Sequence, residues 1–134
     1  MNKKVLVSGI VLIILGIILG AFGAHGLKTV VSDANLIAAF ETGVRYQMYH
    51  GIALLILGLS KIGNLVSKWP FRLVILGVLF FSGSIYLLAT APIFEIDLPK
   101  VIAVLTPVGG TILIVSWLMI LIKIIREKSI FVEK

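Results

Sequence analysis

The residues best suited to chemistry lie in or near GVRYQMYHG, a polar stretch from Gly43 to Gly51 that precedes a long apolar run. The stretch contains Tyr46, Gln47 and His50, and His25 lies near the end of an earlier apolar run. Imidazole nitrogens can ligate a metal or haem iron and can transfer protons near neutral pH, while tyrosine and glutamine form hydrogen bonds. His25, Tyr46, Gln47 and His50 are therefore a candidate ligand-binding site.

Two interpretations of this stretch are open. In a helix, Tyr46 and His50 lie one turn apart on one face, and at the outer membrane interface they can converge with His25 to bind a small ligand, haem, a metal or a proton. Tyrosines at that depth also anchor helices, and a histidine beside them is more often a satisfied hydrogen-bonding group. Two histidines and no cysteine do not define a metal site, so we expect no metal and no cofactor. We favour the structural interpretation.

The composition indicates which solvent surrounds these residues. Of the 134 residues, 60% are hydrophobic and 13% are charged, and the mean hydropathy is +1.17. Such a chain is typical of an integral membrane protein, and at this length we expect one transmembrane domain, 1–134. The net charge of +6 comes from Lys and Arg between the apolar runs, where anionic lipid headgroups attract them. Membrane lipids are therefore the expected partners, and nucleic acid is not.

Four apolar segments are long enough to cross a membrane. Charge-free runs extend over Val5–Leu27, Leu73–Phe94 and Val101–Ile122, and a weaker run lies between the first two of these. A spanning helix needs about 20 apolar residues. We therefore predict spans at about 5–24, 46–65, 73–92 and 101–122.

The connection between the first two spans predicts a helix on the membrane surface. Ser32 or Asp33 can cap it, and the apolar side chains between Leu36 and Val44 share one face. This amphipathic helix, at about 33–45, is expected to lie on the outer surface and to lead into the second span. The predicted fold class is all-α, an integral membrane four-helix bundle with an amphipathic surface helix between spans one and two.

The distribution of basic residues predicts the orientation. Lys and Arg collect before the first span, between the second and third, and after the fourth, at Lys3, Lys4, Lys61, Lys68, Arg72, Lys123, Arg126, Lys128 and Lys134. By the positive-inside rule both termini are cytoplasmic, in a multi-pass protein of the cell (plasma or inner) membrane. A cleaved signal peptide is the alternative for the first span, but the apolar run is longer than the roughly 7–15 residues of such a segment.

Small residues recur at spacings that place them on one face of a helix. Such stripes let a neighbouring backbone approach closely, as in small-xxx-small interfaces. The alternative is that glycine is simply common in membrane helices. The positions that we expect to mediate helix packing are Gly9, Gly16, Gly20, Gly23, Gly77, Ser84, Gly109 and Gly110.

Four segments together resemble a known family. They are GAFGAHGL at 20–27, FETGVRYQMYHG at 40–51, FSGSIYLLA at 81–89 and TPVGG at 106–110. In this order they resemble the YwdK/YgdD-like small membrane proteins, domain-of-unknown-function family 423, a bacterial family with animal relatives. Where the family pattern has Gly-Trp in the last span, this chain has Ser116-Trp117. The resemblance implies a four-span membrane protein without an established activity.

No enzyme signature is present, so we expect a protein that is not an enzyme. The sequence contains no HExxH motif, no pair of carboxylates within a span and no phosphate-binding glycine loop. The favoured function is that of a helix bundle acting through association with lipid, with another membrane protein or with a second copy as a homo-oligomer. The alternative is a small-ligand, haem, metal or proton site at the outer membrane interface.

Overall fold

The structure is a computed structural model that describes residues 1–64, 66 and 68–127. Its α-helices are α1 (Lys3–Ala21), α2 (Leu27–Val30), α3 (Ala34–Leu59), α4 (Lys68–Thr90) and α5 (Val101–Arg126). A π-helical turn at Phe22–Gly26 makes α1 and α2 one continuous run, and 3-10 turns at Lys61–Asn64 and Ala91–Phe94 follow α3 and α4. The described residues contain no strand, so the prediction of an all-α membrane helical bundle is confirmed.

Short polar contacts fix where the first two long helices begin. The Asn2 side chain accepts a hydrogen bond from the Val5 amide at 3.3 Å, and the Asp33 carboxylate accepts one from the Asn35 amide at 2.8 Å. Both contacts satisfy amide donors that the first turn of a helix leaves free. Only residues 31–33 connect α2 to α3. Because so short a link cannot cross the bundle, α1 and α3 form an antiparallel hairpin.

Glycines bring α1 and α3 into backbone contact. A Cβ atom on Gly9 would lie 2.6 Å from the backbone nitrogen of Leu55, and one on Gly58 would lie 2.6 Å from the Cα atom of Leu6. Neither separation leaves room for a side chain. Further along the hairpin, Gly16, Gly20 and Gly23 face Met48, Val44 and Phe40 in that order. The small residues of the first span therefore lie against α3.

Glycines also bring α4 and α5 into close contact. A Cβ atom on Gly109 would overlap the backbone nitrogen of Phe81, and one on Gly77 would contact α5. The hydroxyl oxygens of Ser84 and Thr106 are 2.7 Å apart and form a hydrogen bond between the two helices. Small residues thus allow both hairpins to pack closely, as expected for helices in lipid.

The two hairpins meet through α3 and α4, and buried apolar side chains fill the space between them. The main core contains Val5, Leu12, Leu54, Val66, Val74, Val78, Leu113 and Ile120. A smaller cluster at the other end of the bundle contains Leu27, Val31, Phe40 and Ala89. These two clusters hold the long helices in a fixed register.

Most of the described basic residues lie at one end of the bundle, which we call the basic end. It carries the start of α1, the end of α3, the start of α4 and the end of α5, with Lys3, Lys4, Lys61, Lys68, Arg72, Lys123 and Arg126. The opposite end, which we call the far end, has an ion pair in which Lys28 Nζ lies 3.3 Å from Glu41 Oε1. Lys128 and Lys134, which also entered the predicted orientation, lie outside the described residues.

Three helical runs in the described chain are long and apolar enough to cross a membrane. They are Lys3–Val30, Lys68–Phe94 and Val101–Arg126. These runs contain the predicted first, third and fourth spans. The helix α3 is not among them, because its middle carries Arg45, Gln47 and His50. It is held instead by packing against α1 and α4.

The segment predicted to lie on the membrane surface is helical, but the structure places it elsewhere. It forms the first half of α3, which continues without a break to Leu59. The Phe40 side chain is 1% exposed, contacts Gly23, and has its ring centroid 4.9 Å from that of Tyr86. The apolar face therefore packs against α1 and α4 rather than lipid headgroups. The predicted end of this span at Leu65 lies outside the described residues.

Candidate functional site

Gln47 belongs to a polar cluster in the interior of the bundle, which we call the interior cluster. Its side chain is 4% exposed. Its Nε2 donates to the Leu12 carbonyl at 2.9 Å, and its Oε1 accepts from the Tyr86 hydroxyl at 3.0 Å. Beside it, the Ser82 hydroxyl donates to the Gly43 carbonyl at 2.8 Å. The amide of Gln47 thus connects α1, α3 and α4, and protein groups occupy both of its ends.

The interior cluster lies level with the middle of the apolar helices. Leu12, the partner of Gln47, is near the centre of the charge-free run 5–27, and Ser82 is near the centre of the run 73–94. The sequence predicted residues 46–50 at the outer membrane interface, and the structure places them level with the middle of the apolar runs. The reason is that α3 begins at Ala34, so these residues occupy its middle and not its start.

Tyr46 and His50 line a lateral cavity between α3 and α5, which we call the α3–α5 groove. Its volume is about 750 Å³. The helix α4 contributes Phe81, and α5 contributes Trp117 and apolar residues between positions 110 and 121. The ring centroids of Tyr46 and Phe81 are 4.9 Å apart, and those of His50 and Trp117 are 6.0 Å apart. The volume falls in the range of about 300–1,000 Å³ that is typical of small-molecule sites.

The hydrogen bonding of His50 leaves one ring nitrogen available. Its Nδ1 lies 2.7 Å from the Tyr46 carbonyl oxygen, one turn earlier in α3. A carbonyl only accepts hydrogen bonds, so Nδ1 carries the hydrogen and donates it. In the neutral ring Nε2 is then an acceptor, and no other described residue donates a hydrogen bond to it.

The Trp117 indole offers the complementary group. Its Nε1–H makes no hydrogen bond within the described part of the chain. All fully buried side-chain nitrogen and oxygen atoms of the described residues have a partner. The unpaired nitrogens of His50 and Trp117 therefore reach the surface of the bundle. The α3–α5 groove thus contains a free acceptor and a free donor on neighbouring rings.

His25 does not join the other three candidate residues. It lies exposed in the π-helical turn, two residues after Gly23, which packs on Phe40. His50 is ten residues further along α3 than Phe40, which at the rise of an α-helix separates the two levels by about 15 Å. The sequence left open whether His25 and His50 converge, and the structure keeps them apart because α1 and α3 are antiparallel and paired along their length. The four candidates occupy three different environments.

Sequence reasoning missed several polar or aromatic residues of this region. Ser82 and Tyr86 complete the interior cluster, and Phe81 and Trp117 line the groove. Three of them, at positions 81, 82 and 86, lie in the motif FSGSIYLLA. This motif was the sequence signal that could have identified them. Ser82 and Tyr86 are four positions apart and share the inward face of α4, whereas Phe81 points to the groove.

The groups that line the α3–α5 groove determine which kind of molecule it can hold. Within the described ranges, no three His, Cys, Asp or Glu side chains lie close enough to hold a metal ion. The described residues that line the α3–α5 groove are uncharged apart from the titratable ring of His50. The groove can hold an elongated apolar molecule and can offer it hydrogen bonds from a few fixed groups.

Comparisons with known proteins agree on one family. A family model described as Protein of unknown function (DUF423) matches residues 19–110. A UPF0382 membrane protein of Staphylococcus haemolyticus is 39% identical over 121 residues, which cover 90% of this chain and 93% of that protein. One from Staphylococcus aureus (strain bovine RF122 / ET3-1) is 42% identical over 104 residues, covering 77% and 80%. The UPF0382 membrane protein YwdK of Bacillus subtilis is 35% identical over 130 residues, covering 92% and 98%. No solved structure matches this chain.

Proposed function

This chain belongs to the DUF423 family of membrane proteins, as its motifs indicated, and from that premise we propose that it is a non-enzymatic helix bundle that binds a membrane lipid in the α3–α5 groove. In this proposal the protein is a multi-pass protein of the plasma or inner membrane. Its function depends on association with lipid and not on a reaction.

The α3–α5 groove is the observation that carries the proposal. It has a volume of about 750 Å³ and an almost wholly apolar lining. It follows α5 from Gly110 to Leu121, a length of about 16 Å. A long hydrocarbon chain has this shape, and in a membrane a groove open at the side of a bundle is reached directly from the lipid.

The packing of the glycines favours lipid over a partner protein. Stripes of small residues can join one membrane protein to another. In this structure Gly9 and Gly16 face α3, while Gly77 and Gly109 face the other member of their hairpin. These positions are already occupied inside one chain, so association through the stripes requires that the hairpins separate.

The charge distribution supports an orientation with the basic end toward the cytoplasm. The described residues at that end include the Lys and Arg named above, whereas Lys28 at the far end pairs with Glu41. Positive residues remain on the cytoplasmic side of most membrane proteins. Both chain termini are then cytoplasmic, and cysteine labelling of variants at each end, with an impermeant reagent, tests this.

Lipid retention by matched variants tests the function. The protein is purified in a mild detergent, and bound lipid is identified by native mass spectrometry and extraction. Ile114 lines the groove and is 64% exposed, whereas Val115, the next residue, is 45% exposed and does not line it. We expect one stoichiometric lipid in the wild type and in Val115→Trp, and its loss in Ile114→Trp, whose indole fills the groove.

Two results would count against this function. One is equal lipid retention by Ile114→Trp and Val115→Trp, because lipid would then bind outside the groove. The other is a lipid-free sample in which a second copy or another membrane protein is bound in the groove and is released by Ile114→Trp.

A further inference from the structure

The α3–α5 groove contains polar groups at a depth where water is scarce. Trp117 lies six positions before Lys123, the first basic residue of the basic end on α5, which is about 9 Å along the helix. His50 is adjacent to Gly51, which packs on Ile13 near the middle of α1. The free nitrogens of His50 and Trp117 are thus remote from the headgroup region that the basic residues mark. In hydrocarbon each unpaired polar group costs free energy.

The two free groups have complementary chemistry. His50 Nε2 accepts a hydrogen bond, because Nδ1 donates to the Tyr46 carbonyl at 2.7 Å. The Trp117 indole only donates. The ring centroids are 6.0 Å apart, so the two rings are neighbours in the groove. One group that both donates and accepts can satisfy the two rings together.

Among lipid functional groups, a hydroxyl has this property. A ketone or ester carbonyl accepts from Trp117 but leaves the acceptor of His50 without a partner. A phosphate is charged, and no Lys or Arg lines the described part of the groove. Placing that charge some 9 Å inside the basic end would be costly.

We propose that the α3–α5 groove recognises a long-chain lipid with an uncharged hydroxyl group, which donates to His50 Nε2 and accepts from Trp117 Nε1–H while its apolar chain lies along α5. This proposal rests on the proposed function, since it specifies the lipid class for the same groove. His50 and Trp117 then determine specificity, and the apolar residues of α5 provide most of the affinity.

A matched pair of probes tests the recognition of the hydroxyl. Hexadecan-1-ol and hexadecyl methyl ether share a chain, but only the alcohol can donate a hydrogen bond. Binding of each to the intact protein in mild detergent is measured by native mass spectrometry and by indole fluorescence. For the wild type we expect the alcohol to bind roughly fivefold more tightly than the ether, the value of one net hydrogen bond.

Ring-preserving variants show which residues carry the preference. His50→Phe removes the acceptor to which only the alcohol can donate, and we expect it to abolish the preference for the alcohol while the ether still binds. Trp117→Phe removes a donor from which the oxygen of either probe can accept, so we expect it to weaken the binding of both probes and to keep the preference. Tyr49→Phe is the control, because Tyr49 is 58% exposed and does not line the groove. It should keep the full preference.

The outcomes separate this proposal from the proposed function. Equal binding of alcohol and ether by the wild type, with both lost in Ile114→Trp, would overturn hydroxyl recognition and leave lipid binding in the groove intact. A phospholipid that displaces both probes would also overturn it. Binding of both probes to Ile114→Trp as tightly as to the wild type would mean that the proposed function itself is wrong. The comparison of probes in the wild type does not depend on any variant being folded.

Discussion

Gln47 and His50 lie one turn apart in α3, yet their polar atoms meet opposite surroundings. In the interior cluster, Leu12 and Tyr86 occupy both ends of the Gln47 amide, and the residue is 4% exposed. In the α3–α5 groove, His50 has one nitrogen bonded to its own helix and one without a partner among the described residues. The comparison teaches that two polar residues of one motif can have different purposes. Gln47, whose amide is bonded at both ends, holds helices together, while His50 has a ring nitrogen available to a ligand.

The sharpest contrast between the interior and the groove is expected at two adjacent glycines. A Cβ atom on Gly109 would overlap the backbone nitrogen of Phe81, whereas one on Gly110 would lie 3.6 Å from the Phe81 ring, an ordinary contact. We expect Gly109→Ala to lower the free energy of unfolding by about 1–3 kcal/mol, the cost of overpacking. Gly110→Ala should change it by less than about 0.5 kcal/mol.

Unfolding by SDS titration in mixed micelles measures both glycine variants. If both variants lost the same free energy of unfolding, Gly109 would not be more tightly packed than Gly110, and the expected contrast would be wrong. Gly83→Ala is a further control in α4, since nothing lies within 4 Å of its Cβ position.

An intermediate effect is expected when Gln47 and His50 are compared directly. Gln47→Leu leaves the Tyr86 hydroxyl without its partner and removes the bond to α1, so we expect a loss of about 1–2 kcal/mol in the free energy of unfolding. His50→Phe removes a bond within α3 and should cost less than about 0.5 kcal/mol. The same SDS titration applies, and a larger loss for His50→Phe would contradict the assignment of His50 to ligand binding.

The smallest effect is expected at Ser84, which bonds to Thr106 across the α4–α5 hairpin at 2.7 Å. Ser84→Ala should cost about 0.6 kcal/mol, the average for hydrogen bonds between membrane helices. Thr111→Val is the matched control, since the Thr111 hydroxyl donates to the Pro107 carbonyl of its own helix. A double-mutant cycle of Ser84→Ala with Thr106→Val gives the coupling directly. A coupling near zero would mean that this contact does not join the helices.

The sequence predicted the helices well because their signals are local. Long charge-free runs and a cap at Asp33 need no knowledge of distant residues, and α1, α4 and α5 contain the runs that were expected to span the membrane. The small residues also indicated which faces pack closely. Gly9 and Gly109 do lie where another backbone approaches.

The positions of the polar residues along the bundle and their hydrogen-bond partners could not be predicted from local signals. They depend on the register between helices, which the contacts of Gly9 with Leu55 and of Gly23 with Phe40 determine. The amphipathic pattern before Val44 is equally compatible with a lipid surface and with a protein surface, and here it faces protein. The register is also why the sequence placed Gln47 and His50 in one candidate site. In the structure the Gln47 side chain points into the bundle, and His50 lines the groove.

The three-residue link between α2 and α3 has a consequence for how the protein is made. Taken alone, α3 is less apolar than the three helical runs that can span a membrane, because Arg45 and Gln47 lie in its middle. The link at residues 31–33 is too short to let α3 move far from the end of α2. We therefore expect the translocon to insert them together as a helical hairpin, in which the more apolar helix carries its polar neighbour into the bilayer.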